Sequence, residues 1–108
     1  MVHQLFSLGN EGLVRQISAG LHEAAERLEY ADSYEDFLSA VERHAQVWRS
    51  LCDAAPNLHL EIPERIMAFS TSAPKKLRRG LSDYEIEALI RFDRYISEVI
   101  TEALGALP

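Results

Sequence analysis

The feature that most constrains the fold is a helix start at residue 82 that is followed by a long apolar helical pattern. Ser82 and Glu85 have the spacing of a capping box, in which the Ser82 hydroxyl accepts a hydrogen bond from the Glu85 amide and the Glu85 side chain reaches back. Apolar residues then recur around much of the helix from Asp83 to about Leu104: Ile86, Leu89, Ile90, Phe92, Tyr95, Ile96, Val99, Ile100 and Ala103. A helix of this kind is either central to a helical bundle or provides an external binding face.

Three further helical segments are predicted before this one. The apolar spacing places the first from about Glu11 to Ala31, the second from about Tyr34 to Ala55, and the third from Pro63 to Gly80. Pro74 should kink or split the third segment, because proline removes a backbone hydrogen bond and crowds the carbonyl four residues earlier. The sequence therefore predicts an all-α fold, an antiparallel four-helix bundle, that forms a single domain over residues 1–108.

Composition and charge narrow the classes of function. The chain has 108 residues and a formal net charge of −6, which does not suit a protein that binds mainly to a nucleic-acid backbone. No apolar run approaches the 18 residues of a membrane span. The first residues, Met1 to Phe6, lack the basic region of a secretory signal, and the single cysteine, Cys52, excludes an intramolecular disulfide. We therefore expect a cytoplasmic protein.

The sequence contains no recognisable motif for catalysis. The five glycines are scattered and form no phosphate-binding loop. The four histidines never fall at i and i+4 with one another, and none stands in a Glu-x-x-His pattern. We therefore expect no catalytic, cofactor or metal site, and we expect that the protein is not an enzyme.

Four of the eleven positive charges fall in the segment from residue 75 to residue 79, at Lys75, Lys76, Arg78 and Arg79. Cations near the end of a helix interact favourably with its carbonyl groups, which would explain the cluster without a partner. Alternatively, the cluster is a docking patch for an acidic partner or for RNA. The RNA alternative lacks the interleaved aromatic residues that usually stack on bases.

Two polar residues interrupt the apolar stripes of different helices. His44 lies between Val41 and Trp48, and Asp93 lies between Leu89 and Ile96. If the two helices are neighbours, an imidazole–carboxylate pair would fix their register. Alternatively, each side chain lies at the edge of its stripe, in contact with water.

Several segments of the chain resemble the FlaF family of flagellar biosynthesis regulators. The most specific is Leu89-Ile90-Arg91-Phe92-Asp93-Arg94-Tyr95-Ile96, and the segments Leu13–Ile17, Val47–Leu51 and Ile66–Ser70 are also similar to the family. The chain differs from it at His44 and Asp93, where asparagine is usual, and at Pro74. It therefore looks like a divergent member.

The resemblance implies a small non-catalytic protein that acts on flagellin, supporting its synthesis or secretion alongside the translational regulator FlbT. A compatible mechanism is that the bundle holds an amphipathic helix of unassembled flagellin on an apolar surface. The candidate residues for such a surface are Trp48, Phe69, Phe92, Tyr95 and Val99.

Two other functions remain open at this point. In the first, the protein is a homo-oligomeric interaction module, a homodimer in the simplest case, in which the apolar face of the last helix packs against its own copy. In the second, the basic cluster from Lys75 to Arg79 binds RNA, and the protein is a post-transcriptional regulator.

Overall fold

The computed structural model describes residues 11–58 and 60–105, which fold into helices and the short segments that connect them. Within these ranges there is no β-strand, and the fold is all-α. The five helices are α1 (Glu11–Glu29), α2 (Tyr34–Ala54), α3 (Glu64–Thr71), α4 (Ala73–Leu77) and α5 (Asp83–Gly105). A short 3-10 turn, Ala55–Leu58, follows α2. Residues 1–10, where the sequence argued against a secretory signal, lie outside the described residues.

Side-chain caps define the starts of α2 and α5. The Ser33 hydroxyl accepts a hydrogen bond from the Asp36 amide at 3.1 Å. Before α5, the Ser82 hydroxyl accepts from the Glu85 amide at 3.1 Å, and the Glu85 carboxylate accepts from the Ser82 amide at 3.1 Å. The capping box predicted from the sequence is therefore confirmed. The hydrogen bond from the Ser82 amide also lowers the pKa of Glu85.

The third predicted segment consists of two short helices that are separated at Ser72. Pro74 lies in the first turn of α4, where its missing amide hydrogen would have no helical partner in any case. The hydroxyls of Thr71 and Ser72 donate to carbonyl oxygens of the preceding turn, to Met67 at 2.8 Å and to Ala68 at 2.6 Å. These bonds satisfy backbone groups at the end of α3.

The chain then turns between α4 and α5. Its Gly80 has a φ of 103°, a backbone conformation that side chains with a Cβ atom rarely adopt. The turn brings the chain from the end of α4 to the capping box of α5.

Helix α1 is antiparallel to both α2 and α5. Towards α2, a Cβ atom on Gly20 would be 3.3 Å from a methyl group of Val47, and Glu23, one turn later in α1, lies 4.0 Å from Arg43, one turn earlier in α2. Towards α5, the Ser18 hydroxyl lies 3.2 Å from the hydroxyl of Ser97, and Glu29, at the C-terminal end of α1, binds Arg94. Because α2 and α5 are both antiparallel to α1, they run in the same direction as each other.

The buried apolar residues form two clusters. The large cluster contains Val14, Ile17, Leu21, Val47, Trp48, Leu51, Ala54, Leu58, Ile96 and Ile100. The small cluster contains Leu28, Ala40, Val41, Ala73 and Leu89. Both clusters contain residues of α1, α2 and α5. These three helices therefore contribute to the core along its whole length. Among the described residues, no helix is both long enough and apolar enough to cross a membrane.

We expect the Ser82→Ala substitution to lower the free energy of unfolding by about 1 kcal/mol, because it removes the acceptor for an amide in the first turn of α5. Urea unfolding followed by the fluorescence of Trp48, the single tryptophan, would measure the change. Ser50→Ala is the matched control, since Ser50 is exposed inside α2 and alanine favours a helix. Equal stability of the two variants would contradict a role for the cap.

Candidate functional site

The interior contains a histidine–carboxylate pair between α2 and α5. His44 and Asp93 are both completely buried. Nδ1 of His44 lies 2.8 Å from Oδ2 of Asp93, within hydrogen-bond distance. The prediction that these two residues pair is thus confirmed, and the alternative that each lies in water at the edge of its stripe is wrong. That the pair fixes the register of the two helices stays a hypothesis.

Trp48 adds a second hydrogen bond to the same carboxylate. Its indole Nε1–H donates to Oδ1 of Asp93 at 2.6 Å, so each carboxylate oxygen has a donor. The Trp48 and His44 rings are neighbours, with their centroids 6.0 Å apart and their planes tilted by 35°. The sequence placed Trp48 on an apolar face, but it gave no sign of this partner.

The proposed role of Trp48 as a partner-binding residue needs a correction. The side chain is completely buried, and its polar atom is already bonded to Asp93. It therefore presents no surface to another molecule. Its contribution is to the core and to the orientation of the carboxylate.

These three residues form a polar layer between the two apolar clusters. On α2, His44 lies between Val41 of the small cluster and Trp48 of the large cluster. On α5, Asp93 lies between Leu89 of the small cluster and Ile96 of the large cluster. We call His44, Trp48 and Asp93 the buried polar layer. Since water does not reach this layer, its side chains cannot contact a dissolved substrate. Its hydrogen bonds join α2 to α5.

Burial controls the protonation of the layer. Loss of water raises the pKa of Asp93. Two neighbours oppose that rise without cancelling it: His44, through its hydrogen bond and its charge, and Trp48, through its hydrogen bond. When Asp93 is ionised, it accepts both hydrogen bonds, so Nδ1 of His44 carries the hydrogen. Nε2 of His44 is also buried, and within the described part of the chain it has no hydrogen-bond partner.

The second candidate site is an open groove between α3 and α5. Phe69 and Phe92 meet edge to face at its centre, with their ring centroids 6.1 Å apart and their planes at 89°. Tyr84 and Tyr95, towards its two ends, are 75% and 64% exposed. One part of the groove has a volume of about 510 Å³, and an adjoining part of about 580 Å³ shares Ile66 and Phe92 with it.

We call this surface the α3–α5 groove. Its lining is Arg65, Ile66, Ala68, Phe69, Ser72, Lys76, Tyr84, Glu85, Ala88, Ile90, Arg91, Phe92, Arg94, Tyr95 and Glu98. Among the predicted surface residues, it brings together Phe69, Phe92, Tyr95 and Lys76. Val99, which is half-buried on α5, does not line it. The sequence missed Tyr84 as a groove residue, although its spacing of four from Ala88 and of eight from Phe92 was a usable signal.

The basic cluster is divided between two surfaces. Lys76 borders the α3–α5 groove, with its Nζ atom 4.8 Å from the centre of the Phe69 ring. Lys75 and Arg78 instead line a polar cleft of about 630 Å³ between α2 and α4, and Arg79 is exposed and lines neither surface. The four residues therefore do not all line one surface.

The polar cleft also contains Cys52. Partial burial, together with the charge of Asp53, raises the pKa of this thiol. A raised pKa leaves little thiolate at neutral pH, which does not suit a nucleophile. Across the described residues, no group of three or more histidine, cysteine, aspartate or glutamate side chains is arranged to hold a metal ion.

Comparison of the chain with protein-family models, with curated proteins and with solved structures found no match in any of the three.

The buried polar layer predicts strong coupling between His44 and Asp93. We expect His44→Leu and Asp93→Leu each to lower the free energy of unfolding by roughly 3 kcal/mol, because each leaves a buried polar partner unpaired. The double variant should lose less than the sum, because it replaces the pair by apolar side chains. Urea unfolding of the four proteins in this double-mutant cycle would measure the coupling.

The matched control is the exposed pair Glu87 and Arg91, which lie 3.6 Å apart on the surface of α5. The same cycle there should give a coupling near zero, because water screens exposed pairs. Additive losses at His44 and Asp93 would contradict the pairing.

The raised pKa of Asp93 predicts a definite pH dependence. At pH values between 3.8 and the folded pKa, Asp93 is mostly protonated in the folded protein and mostly ionised in the unfolded chain. The contribution of Asp93 to the free energy of unfolding should therefore fall as the pH rises from the ordinary value of 3.8 to the folded pKa, and then stay constant. Titration of the Asp93 side-chain carboxyl by carbon-13 NMR should give a midpoint above 3.8, and a midpoint below that value would contradict the prediction.

Proposed function

We propose that this chain is a non-catalytic regulator of flagellum biosynthesis in the cytoplasm, which binds flagellin or a flagellin-regulating partner such as FlbT. The observation that carries the proposal is the α3–α5 groove. It presents half-exposed Phe69 and Phe92 and exposed Tyr84 and Tyr95 on one side of a small helical protein. Aromatic side chains that are left partly open to water in this way are typical of surfaces that bind another protein.

The resemblance to the FlaF family supports the same surface. Its most specific segment, Leu89–Ile96, lies in the middle of α5 and contains both a residue of the buried polar layer, Asp93, and two residues of the groove, Phe92 and Tyr95. One short segment of sequence therefore contributes to the interior and to the proposed binding surface.

The arrangement that we propose for the fold is an antiparallel four-helix bundle in which α3 and α4 together form the third member. The reversal of direction from α1 to α2, and the return of α5 beside α1, support it. In this arrangement the groove lies between the third and fourth members, where a helix from a partner could dock beside them.

The other functions considered above have weaker support. RNA binding through residues 75–79 would require those cations to act together, whereas Lys75 and Lys76 border different surfaces. Association of two copies would use the same exposed apolar residues of α5 as flagellin binding. The oligomeric state of the isolated protein distinguishes these two possibilities.

We expect the protein to form a stoichiometric complex with the monomeric flagellin of its host, measured by size exclusion with light scattering. The double variant Tyr84→Ala/Tyr95→Ala should weaken the complex at least about tenfold, since it removes two large exposed contacts without disturbing the core. Tyr34→Ala is the matched control, because Tyr34 is 66% exposed and lies at the start of α2, away from the groove.

Two results would overturn the proposal. One is the absence of any complex with flagellin while the protein elutes as a homodimer. The other is a complex that Tyr34→Ala weakens as much as the groove variant does. In the second case the binding would not depend on the α3–α5 groove.

A further inference from the structure

The shape of the α3–α5 groove matches one side of a helix. Along α5, groove residues recur at Tyr84, Ala88, Phe92 and Tyr95, with spacings of four, four and three. The eleven steps from residue 84 to residue 95 correspond to roughly 16 Å of helix, or about three turns. Ile66 and Phe69 of α3 form the opposite wall. A helix of similar length with apolar residues on one side would cover this strip.

The charged residues that line the groove differ in their balance of signs from the chain as a whole. The lining contains four cations, Arg65, Lys76, Arg91 and Arg94, and two carboxylates, Glu85 and Glu98. Two of the cations also pair with carboxylates outside the lining, Arg91 with Glu87 at 3.6 Å and Arg94 with Glu29. The chain as a whole has a net charge of −6, so a lining with more cations than carboxylates stands out on an acidic protein.

The cations occur on both edges. Arg65 and Lys76 lie on the side of α3 and α4, and Arg91 and Arg94 lie on the side of α5. A helix in the groove would therefore have cations on either side of its apolar face. Carboxylates that flank that apolar face would meet these cations, whereas lysines in the same positions would be repelled.

The cations on the side of α3 and α4 are available to such carboxylates. Arg65 forms no salt bridge with any residue in the described part of the chain. Lys76 has a weak intramolecular partner, because its Nζ atom is 4.0 Å from Glu85, a carboxylate that also accepts hydrogen bonds from Ser82. The position of Nζ over the Phe69 ring keeps this charge next to the apolar floor, where water screens it less.

We propose that the α3–α5 groove selects an amphipathic helix whose apolar face is flanked by carboxylates. The inference rests on the proposed use of the groove as a binding surface, and it adds the chemistry of the partner. The apolar strip supplies most of the contact area, and the cations on the two edges decide between acidic and basic helices.

Two synthetic peptides of about 18 residues, roughly five helical turns, would test the inference. Both carry leucine along one face at helical spacing, and they differ only in whether glutamate or lysine flanks that face. Isothermal titration calorimetry against the full-length protein should show at least about tenfold tighter binding of the glutamate peptide. This preference should decrease with added salt, which screens the exposed cations.

The double variant Arg65→Glu/Arg91→Glu, with one change on each edge, should abolish or invert the preference. Both side chains are exposed, so circular dichroism and thermal unfolding should be unchanged. The matched control is Arg49→Glu/Arg78→Glu, which makes the same change of charge in the polar cleft and outside the groove. The control should keep the preference for the glutamate peptide.

The proposal is overturned if the two peptides bind equally, if the lysine peptide binds more tightly, if neither binds, or if the control variant shifts the preference as much as the groove variant. The proposal would also be overturned if the protein formed a homodimer through the groove that excluded both peptides. Selective peptide binding without a flagellin complex would contradict the proposed function alone. A flagellin complex that survives Arg65→Glu/Arg91→Glu unchanged would contradict the inference alone.

Discussion

The arrangement of the helices depends on the burial of one carboxylate. Asp93 lies in the interior of the protein with its two oxygens bonded to His44 and Trp48, both of which belong to α2. An ionised group without these donors would be costly to remove from water, so α5 is held where the donors are. Apolar contacts distinguish neighbouring registers less sharply, because they are not directional. We therefore expect the buried polar layer to favour one register of α2 and α5 over its neighbours.

This register also determines the outer face of α5. Phe92 and Tyr95 lie next to Asp93 in the sequence, but they line the α3–α5 groove. Each residue of a helix turns the side-chain direction by about 100°, so a shift by one residue would move Phe92 towards the core and carry Asp93 to the surface. The position of the groove aromatics is therefore a consequence of the bonds inside the protein. A second contact, between Arg94 and Glu29 of α1, supports the same orientation of α5.

The sequence predicted the features that depend on local order. Helical periodicity and the Ser82–Glu85 spacing placed the long helices to within a few residues of their observed ends, and the polar interruptions at His44 and Asp93 suggested the pair between helices. The hydrogen bond from Trp48 could not be predicted, because it depends on the rotation of α2 relative to α5 rather than on any pattern within α2. For the same reason the sequence could not separate buried Trp48 from half-exposed Phe92. Both are aromatic residues on apolar stripes. They differ only in how completely the other helices pack around them.

The short length of the third segment explains why a small protein leaves aromatic residues open to water. Helix α3 has eight residues and α4 has five, which correspond to roughly 12 Å and 8 Å of helix, whereas the 23 residues of α5 extend over roughly 35 Å. Neither short helix can cover the exposed side of α5 along its length. Even an uninterrupted helix from residue 64 to residue 77 would extend over only roughly 21 Å and would remain shorter than α5. The segment opposite α5 is therefore too short to cover it, and the uncovered strip of α5 forms one wall of the α3–α5 groove.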